Sequence, residues 1–439
     1  MVVGKSFDAG IKLSSDGKEQ SLEPLQIKEL VQSPALNLLI MTQFFPPDFA
    51  ATGQLIEELV TQLGQQDVNV KVFTGQPGYA FAEGEAPRVE QKGNVCVKRS
   101  RMSQLFSNRI RGKALNGVMF ALRAVFHSIR HAKKHNVLLV TTAPPFLPII
   151  GYLVNLLLGM PYVCLLYDLY PDIAVELKVV KSSHSLVRLW HWLNCQVWRR
   201  SSSIIVLSSS MKKRIVAHCP EIAEKIEIIH SWSDDQKIVP IPKEENWFAK
   251  EHELTENFVV LYSGNMGRCH DINTLFEVAC HLKDESILFI CIGGGAKRED
   301  LMSQVNARKL KNFRFLPYQE KSILPYSLTS GDVSLVSIAP GMDSLVAPSK
   351  LYPAMATGRP IVAICPDSSY LVPLLSSAKC GTAFKNGESQ AIATYILELS
   401  RDIAKAQQLG KAGRQYLETH FTPEVISKQY LRVVQKVAS

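Results

Sequence analysis

The sequence predicts an α/β fold with two doubly wound domains, each a parallel sheet with helices on both faces. Short, continuous apolar runs alternate with amphipathic segments along the chain, which is typical of β-α-β units with buried strands. The alternation stops at the proline-containing residues 239–242 and then restarts, so we expect two sheets. With 439 residues, 46% hydrophobic and 20% charged, the chain can form two cores, and its composition excludes collagen, coiled coil and disorder for its bulk.

The predicted elements follow in order from these patterns. Apolar runs of four to seven residues are interpreted as strands, and longer segments with apolar residues at helical spacing as helices. The first domain has predicted strands at 36–42, 68–74, 137–142, 162–167, 203–208 and 226–230, with helices at 53–65, 109–134, 146–158, 187–200 and 210–218. The second has predicted strands at 259–263, 286–292, 333–336 and 360–364, with helices at 272–282, 298–308, 350–357 and 390–399.

The domain limits follow from the same pass along the chain. Residues 1–36 are polar, and we expect them to be a flexible N-terminal extension without a signal peptide. The two domains then span 37–237 and 238–415. The tail has predicted helices at 403–418 and 423–437, and its last segment, 416–439, is predicted to cross back to the first domain as a helix.

An uncharged, strongly apolar stretch at 136–167 is long enough to span a bilayer. Pro144, Pro145, Pro148 and Pro161 divide it into pieces of strand and helix length. A strand, a helix and a second strand therefore describe it better than a transmembrane helix.

The net charge of +9 is unevenly distributed, with −1 in residues 1–36, +8 in residues 37–237 and +2 in residues 238–439. Residues 98–134 contain ten Lys and Arg, residues 178–214 contain eight, and neither stretch contains an acid. Apolar and aromatic residues separate these cations, which favours an anionic membrane surface. The alternative is that both basic stretches are simply helix faces exposed to solvent. Nucleic acid is disfavoured because no helix-turn-helix, zinc-finger or RNA-recognition motif accompanies the charge.

The nine cysteines form no C-x-x-C pair, which excludes a zinc knuckle and a thioredoxin motif. Cys164, Cys291 and Cys365 lie inside apolar runs, where cysteine acts as a small buried hydrophobe. The cysteines therefore predict a reduced, cytoplasmic protein. Together with the basic stretches described above, this predicts peripheral association with the inner face of the plasma membrane.

Three loops that follow predicted strands offer close backbone approach to a ligand. Gly53 follows the Phe-Phe-Pro-Pro loop at 44–47 and opens a helix, so an anion could bind its free N–H groups. Gly264, Asn265 and Arg268 follow the first strand of the second domain, where a diphosphate could bind the backbone and the guanidinium. The alternative for the Gly53 motif is an ordinary loop between a strand and a helix. The alternative for the motif of Gly264, Asn265 and Arg268 is a tight turn. The third loop contains Gly293, Gly294 and Gly295, which could line a nucleotide pocket or serve only packing.

Two further motifs carry polar side chains. Ser349 and Lys350 are predicted in the first turn of a short helix, where a hydroxyl, an ammonium and free N–H groups suit phosphate. A solvated lysine is the alternative. Asp168 emerges from the end of a buried strand, where it could act as a base, orient a hydroxyl or cap a helix.

Taken together, these motifs resemble a known family. The chain resembles a family-4 (group 1) retaining glycosyltransferase of the two-Rossmann GT-B fold, in particular the bacterial exopolysaccharide and colanic-acid subgroup. The resemblance covers about 37–435. The matching stretches, in chain order, are 45–47 with 52–53, 168–171, 205–208, 229–234, 262–267, 293–295, and 348–351 with 356–360.

The resemblance implies a UDP- or GDP-linked sugar donor on the second domain, with a lipid-linked or polysaccharide acceptor on the first. Ser349, Lys350 and Arg268 would lie near the diphosphate, and Tyr318 near the base. It also implies retention of the anomeric configuration by front-side attack, with the leaving group stabilised by cations and helix dipoles, without a cofactor or metal.

Two departures from the family pattern stand out. The family's pair of glutamates is replaced by Leu345 and Pro353, so Asp343 becomes the candidate for the donor-sugar hydroxyls. Tyr167, rather than a histidine, precedes Asp168. Three hypotheses therefore stay open: a sugar transferase, another GT-B-shaped enzyme such as a nucleotide-sugar epimerase, and a catalytically inactive member that binds a partner.

Overall fold

A computed structural model of the chain describes residues 36–48, 50–76, 86–100, 110–131 and 134–439, with the backbone alone over 110–118 and at 131. Most of the predicted N-terminal extension, residues 1–35, lies outside these residues. The rest of the chain forms two lobes, each built on its own sheet.

The first lobe contains an eight-stranded sheet in the order β3-β4-β2-β1-β5-β6-β7-β8, parallel except for the antiparallel β3–β4 pair. The central strands β5 and β6 are buried at every residue because helices cover both of their faces. The strands are β1 (Asn37–Met41), β2 (Asn69–Thr74), β3 (Val89–Lys92), β4 (Val95–Arg99), β5 (Val137–Thr141), β6 (Tyr162–Leu166), β7 (Ser203–Val206) and β8 (Ile226–Ile228).

The helices of the first lobe lie in two layers. One layer contains α1; the other contains α2, α3 and α5, with α3 packed between the other two and on β5 and β6. Gly151 lets α3 approach the sheet, since a Cβ there would lie 2.7 Å from the Tyr162 ring. The helices are α1 (Ala51–Gln65), α2 (Ile110–His131), α3 (Leu147–Leu158), α4 (Asp172–Glu176), α5 (Ser185–Arg200) and α6 (Ser209–His218), followed by a 3-10 turn at Pro220–Lys225.

The apolar stretch at 136–167 thus forms β5, α3 and β6, as the prolines predict. Among the residues that the structure describes, no helix combines the length and the apolarity needed to cross a bilayer.

The second lobe contains a fully parallel six-stranded sheet in the order β11-β10-β9-β12-β13-β14. Its strands are β9 (Phe258–Ser263), β10 (Ile287–Ile292), β11 (Phe313–Leu316), β12 (Val333–Ser337), β13 (Ile361–Ile364) and β14 (Gly381–Phe384). Its helices are α7 (Trp247–Glu251), α8 (Asn273–His281), α9 (Arg298–Ala307), α10 (Leu324–Thr329), α11 (Leu351–Ala356), α12 (Leu371–Ala378), α13 (Ser389–Arg401) and α14 (Ile403–His420).

The last helix, α15 (Pro423–Ala438), returns to the first lobe and packs on α1, β5 and β6. Tyr430 is buried there against Trp232, and Ser427 Oγ accepts a hydrogen bond at 2.9 Å from Gln66, the C-cap residue of α1. The predicted helix at 423–437 is confirmed, whereas the predicted segment boundary at 416 falls inside α14, which continues to His420 on the second lobe. Thr422 caps the new helix, and Pro423 occupies its first turn.

The strands that the sequence pattern missed lie at or near the sheet edges. β3 is polar and mostly exposed, and β14 opens on a glycine, so neither shows a continuous apolar run. The central strands lie within one or two residues of their predicted positions. The parallel α/β fold predicted from the sequence is therefore confirmed.

Candidate functional site

The carboxyl ends of strands from both lobes meet at one seam. The loop after β6 pairs with the loop after β12: Leu169 N–H donates to the Leu345 carbonyl at 3.1 Å, and Asp168 forms an antiparallel bridge with Val346. Parallel α/β sheets bind their ligands at such edges, where the strand order reverses. In the second lobe the order reverses between β9 and β12, so the loops after these strands frame the expected ligand position.

Two glycine loops of the second lobe interlock at this edge. The Gly264 N–H donates to the Ile292 carbonyl at 2.8 Å, and the Met266 N–H donates to the Gly294 carbonyl at 2.6 Å. Gly293 has φ +129°, and a Cβ there would overlap with the carbonyl oxygen of Gly264. Only glycine allows two backbone segments to approach this closely.

Tyr318, predicted near the nucleotide base, packs against the same loops. A Cβ on Gly294 would lie 3.0 Å from its ring carbon Cε2, and the side chain is 44% exposed. The structure therefore brings Gly264, Gly293, Gly294 and Tyr318 together, with Asn265 exposed in the same loop. A flat ring beside open backbone suits a stacked base.

Lys350 reaches these glycine loops from the loop after β12, on the other side of the point where the strand order of the second sheet reverses. Its ammonium lies 5.4 Å from the centre of the Tyr262 ring, and its Cε occupies the space that a Cβ on Gly264 would take. The predicted helix at 350–357 is shorter in the structure, so the placement of Ser349 and Lys350 in its first turn is wrong. Lys350 occupies the N-cap position of the six-residue α11 without a capping hydrogen bond from its side chain, and Ser349 precedes it.

His270 holds the ammonium in place. Its Nδ1 lies 2.7 Å from the Ser337 carbonyl oxygen and its Nε2 lies 3.1 Å from Lys350 Nζ, so Nδ1 donates and Nε2 accepts. Burial, reinforced by the Lys350 charge, lowers the pKa of His270 to about 3. Burial lowers the pKa of Lys350 to about 8. The imidazole is thus neutral, and the ammonium is its donor.

A second cation lies beside this pair. Lys297 donates to the His270 carbonyl oxygen at 2.6 Å, and its backbone N–H donates to the Met266 carbonyl. Within the described part of the chain, Lys350 has no carboxylate partner, and exposed Arg268 makes neither a hydrogen bond nor an ion pair. In the described part of the chain, neither Lys350 nor Arg268 is therefore neutralised by a direct ion pair, which is the electrostatic condition for binding an anion.

Asp168 faces this positive site from the first lobe. Burial raises the pKa of its carboxyl group to about 6. The pKa of the Cys269 thiol is also raised, first by burial and then by the negative charge of Asp168. The positive charges of Lys297 and Lys350 act in the opposite direction and lower it. All four groups therefore share one electrostatic neighbourhood across the seam.

Three other predicted site residues have structural contacts of their own. Asp343 is buried, and its carboxylate accepts a hydrogen bond from Ser368 Oγ at 2.8 Å. Gly53 lies in α1 and packs against the backbone of Phe44, since a Cβ there would lie 3.1 Å from the Phe44 carbonyl carbon. This contact lies where the strand order of the first sheet reverses. Leu345 is buried in the core at the seam, so no polar group replaces the absent glutamate there.

The sequence analysis missed His270 and Lys297 as site residues. Both stand within three residues of motifs it singled out, and that proximity was the available signal.

The sequence analysis also missed a cluster near Asp168, in which Arg214, His218 and His191 surround the Asp172 carboxylate. Despite burial, which raises it, the pKa of Asp172 is lowered to about 2 by hydrogen bonds from His218 and Arg214. Ligand atoms of Asp172 and the two histidines lie within 4.8 Å, but Arg214 already balances the carboxylate.

Comparison with known proteins identifies the family. Residues 243–416 match the model of the glycosyl transferases group 1, and residues 52–237 match that of glycosyltransferase family 4. The chain belongs to the group 1 glycosyltransferases. This glycosyltransferase is 23% identical over 409 residues to the probable glycosyltransferase WbjE of Pseudomonas aeruginosa, covering 92% of its own chain and 98% of WbjE. It is 30% identical over 138 residues to WcaI of Escherichia coli K12, named for colanic acid biosynthesis, covering 31% and 34% of the two chains.

Solved structures show the same fold. The glycosyltransferase superposes on sucrose-phosphate synthase from Thermosynechococcus elongatus with a TM-score of 0.71 and 16% identity, covering 92% and 99% of the two chains. It superposes on HepE of Anabaena, solved in complex with UDP, with a TM-score of 0.68 and 15% identity, covering 91% and 100%. The GT-B fold expected from the resemblance is thereby confirmed, and the protein is a transferase of glycan biosynthesis.

Proposed function

We propose that this glycosyltransferase moves a sugar from a nucleoside-diphosphate donor to a lipid-linked or polysaccharide acceptor, with retention of the anomeric configuration. The donor occupies the second lobe and the acceptor the first, at the cytoplasmic face of the plasma membrane. The observation that carries the proposal is the Lys350 ammonium, which His270 holds over Gly264 and which has no carboxylate partner among the residues that the structure describes.

The chemistry follows from the charges at this edge. As the glycosidic bond to the donor breaks, negative charge develops on the leaving diphosphate. Lys350 neutralises that charge, and the exposed Arg268 and half-buried Ser349 supply further donors from neighbouring loops. We expect no metal and no cofactor, because these protein cations supply the positive charge. Asp168 orients the acceptor hydroxyl, and above pH 6 its carboxylate is ionised and able to accept that hydrogen bond.

UDP is the first donor nucleotide to test, because HepE structures contain UDP and UDP-glucose. We expect UDP or GDP to raise the melting temperature of the protein, since a ligand at 100 times its Kd stabilises the folded state by about 2.7 kcal/mol. A thermal shift series with UDP, GDP, ADP and inorganic phosphate measures this effect. Lys350→Met should abolish the shift, whereas Lys411→Met, at an exposed site on α14, should keep it.

The same series separates the other hypotheses. Stabilisation by a nucleoside diphosphate that survives in Lys350→Met would contradict the assignment of the site. An absence of stabilisation by every nucleotide would favour an inactive member that binds a partner.

A further inference from the structure

The outer face of one helix layer exposes large apolar side chains. The layer consists of α2, α3 and α5, which pack side by side on the first sheet. Phe126 is 72% exposed, Leu157 63% and Trp192 57%. The exposed apolar residues of this face are Leu122, Phe126, Ile129, Leu153, Leu156, Leu157, Leu158, Leu186, Leu189 and Trp192.

These side chains are not displaced core residues. In α2 the inward face is already formed by Phe120, Ala124 and Ser128, which are buried at a spacing of four residues. Leu122 and Phe126 share the opposite face at the same spacing, where a helix of a water-soluble lobe normally carries polar residues. Over the part of α2 whose side chains the structure describes, apolar residues therefore lie on both the inner and the outer face.

The second lobe provides an internal comparison. Its exposed large apolar residues, such as Trp247, Val372 and Ile403, lie on different helices, α7, α12 and α14. Single exposed hydrophobes are ordinary on a protein surface, whereas apolar residues on three adjacent helices mark an interaction site.

The charges on and next to these helices indicate what the face binds. Arg130 of α2 and Arg188 of α5 are exposed, as are Lys178 and Lys181 in the segment before α5, and none has an acidic partner among the residues that the structure describes. A second copy of the chain would bring like charges together across a two-fold interface. An anionic bilayer instead pairs with the cations and accepts the apolar side chains.

We propose that the outer face of α2, α3 and α5 docks on an anionic bilayer and inserts its apolar side chains at the boundary between headgroups and acyl chains. The inference builds on the proposed function, because it holds the acceptor lobe where a lipid-linked acceptor resides. It goes beyond electrostatic attraction, since the apolar residues enter the lipid by about 5–10 Å.

Flotation of the full chain with vesicles tests the docking. Vesicles of phosphatidylglycerol and phosphatidylcholine in a 3:7 ratio should bind the wild type, and pure phosphatidylcholine should bind it at least tenfold more weakly. The double variant Phe126→Ser with Leu157→Ser should lose at least tenfold in binding, because it removes two inserted side chains. The matched double variant Trp247→Ser with Ile403→Ser, exposed on the second lobe, should bind like the wild type.

Fluorescence distinguishes insertion from surface attraction. Lipids with brominated acyl chains should quench Trp192, and Trp192→Phe should remove most of that quenching, because the other exposed tryptophan, Trp247, lies on the second lobe. No vesicle binding, or equal binding by both double variants, would overturn the proposal. The proposal would also be overturned if Phe126→Ser with Leu157→Ser left vesicle binding unchanged but converted a dimer of the wild type to a monomer in sedimentation.

The UDP thermal shift of the first double variant separates this proposal from the proposed function. A retained shift with lost vesicle binding supports both. A retained shift with unaffected vesicle binding overturns only the docking face.

Discussion

Replacing Lys350 by methionine is expected to lower kcat/KM for sugar transfer by about 100- to 1,000-fold, the range for losing one charge-stabilising donor. His270 places the ammonium beside the glycine loops, so in the proposed mechanism its loss leaves the developing charge of the diphosphate without its principal partner. Burial lowers the pKa of Lys350 to about 8, which means that the fold disfavours the charged form. The melting temperature should therefore stay the same or rise. Steady-state kinetics and thermal unfolding of the variant measure the two effects.

The pH dependence of the wild type checks the same assignment. A lysine whose pKa falls from 10.5 to about 8 loses its charge as pH rises through 8, so kcat/KM should fall above that value. Asp168, with a pKa of about 6, should give the rise on the acid side. A profile that is flat from pH 7 to 9.5, or a Lys350→Met variant with full activity, would refute the diphosphate assignment.

Replacing Gly293 by alanine is expected to destabilise the protein by roughly 3 kcal/mol, from left-handed strain and overlap with the backbone. The new Cβ would collide with the carbonyl of Gly264 and separate the two glycine loops. Because these loops frame the proposed donor site, we expect UDP affinity to fall by at least tenfold. Denaturant unfolding and calorimetric titration with UDP measure the two consequences.

Gly387 provides the matched control for this change. It also has a positive φ, +87°, but a Cβ there would meet no atom within 4 Å. Gly387→Ala should therefore cost only the strain, about 1–2 kcal/mol, and should leave UDP affinity unchanged. Equal losses of stability and affinity in the two variants would show that loop contact is not what Gly293 provides.

Much of the fold could be predicted from the sequence because both sheets are parallel and buried. Continuous runs such as those of β5 and β6 identify such strands within a residue or two. Edge strands carry a weaker signal: β3 has three polar residues of four, and only its pairing with β4 makes it a strand. The C-terminal crossing was expected, and its helix begins at the predicted residue, Pro423, because Thr422 caps it and a proline is favoured in a first turn.

The site could be predicted only where a motif lies at the end of a strand. Gly264, Gly293 and Lys350 were identified in this way, and the structure brings them together. His270 could not be assigned a role, because its partner Lys350 is 80 residues away and only folding brings them together. The same holds for Asp343: its hydrogen bond with Ser368 depends on how the loops after β12 and β13 pack.

Transfer of a radiolabelled sugar tests the central claim most directly. The protein is incubated with UDP- and GDP-linked sugars and a membrane extract, and both the lipid-extracted product and the released nucleoside diphosphate are measured. We expect one donor to yield equal amounts of labelled glycan and free diphosphate, with retained anomeric configuration, and both Lys350→Met and Asp168→Asn to reduce the yield at least 100-fold. No transfer from any donor, or transfer that both variants support at the wild-type rate, would contradict the account.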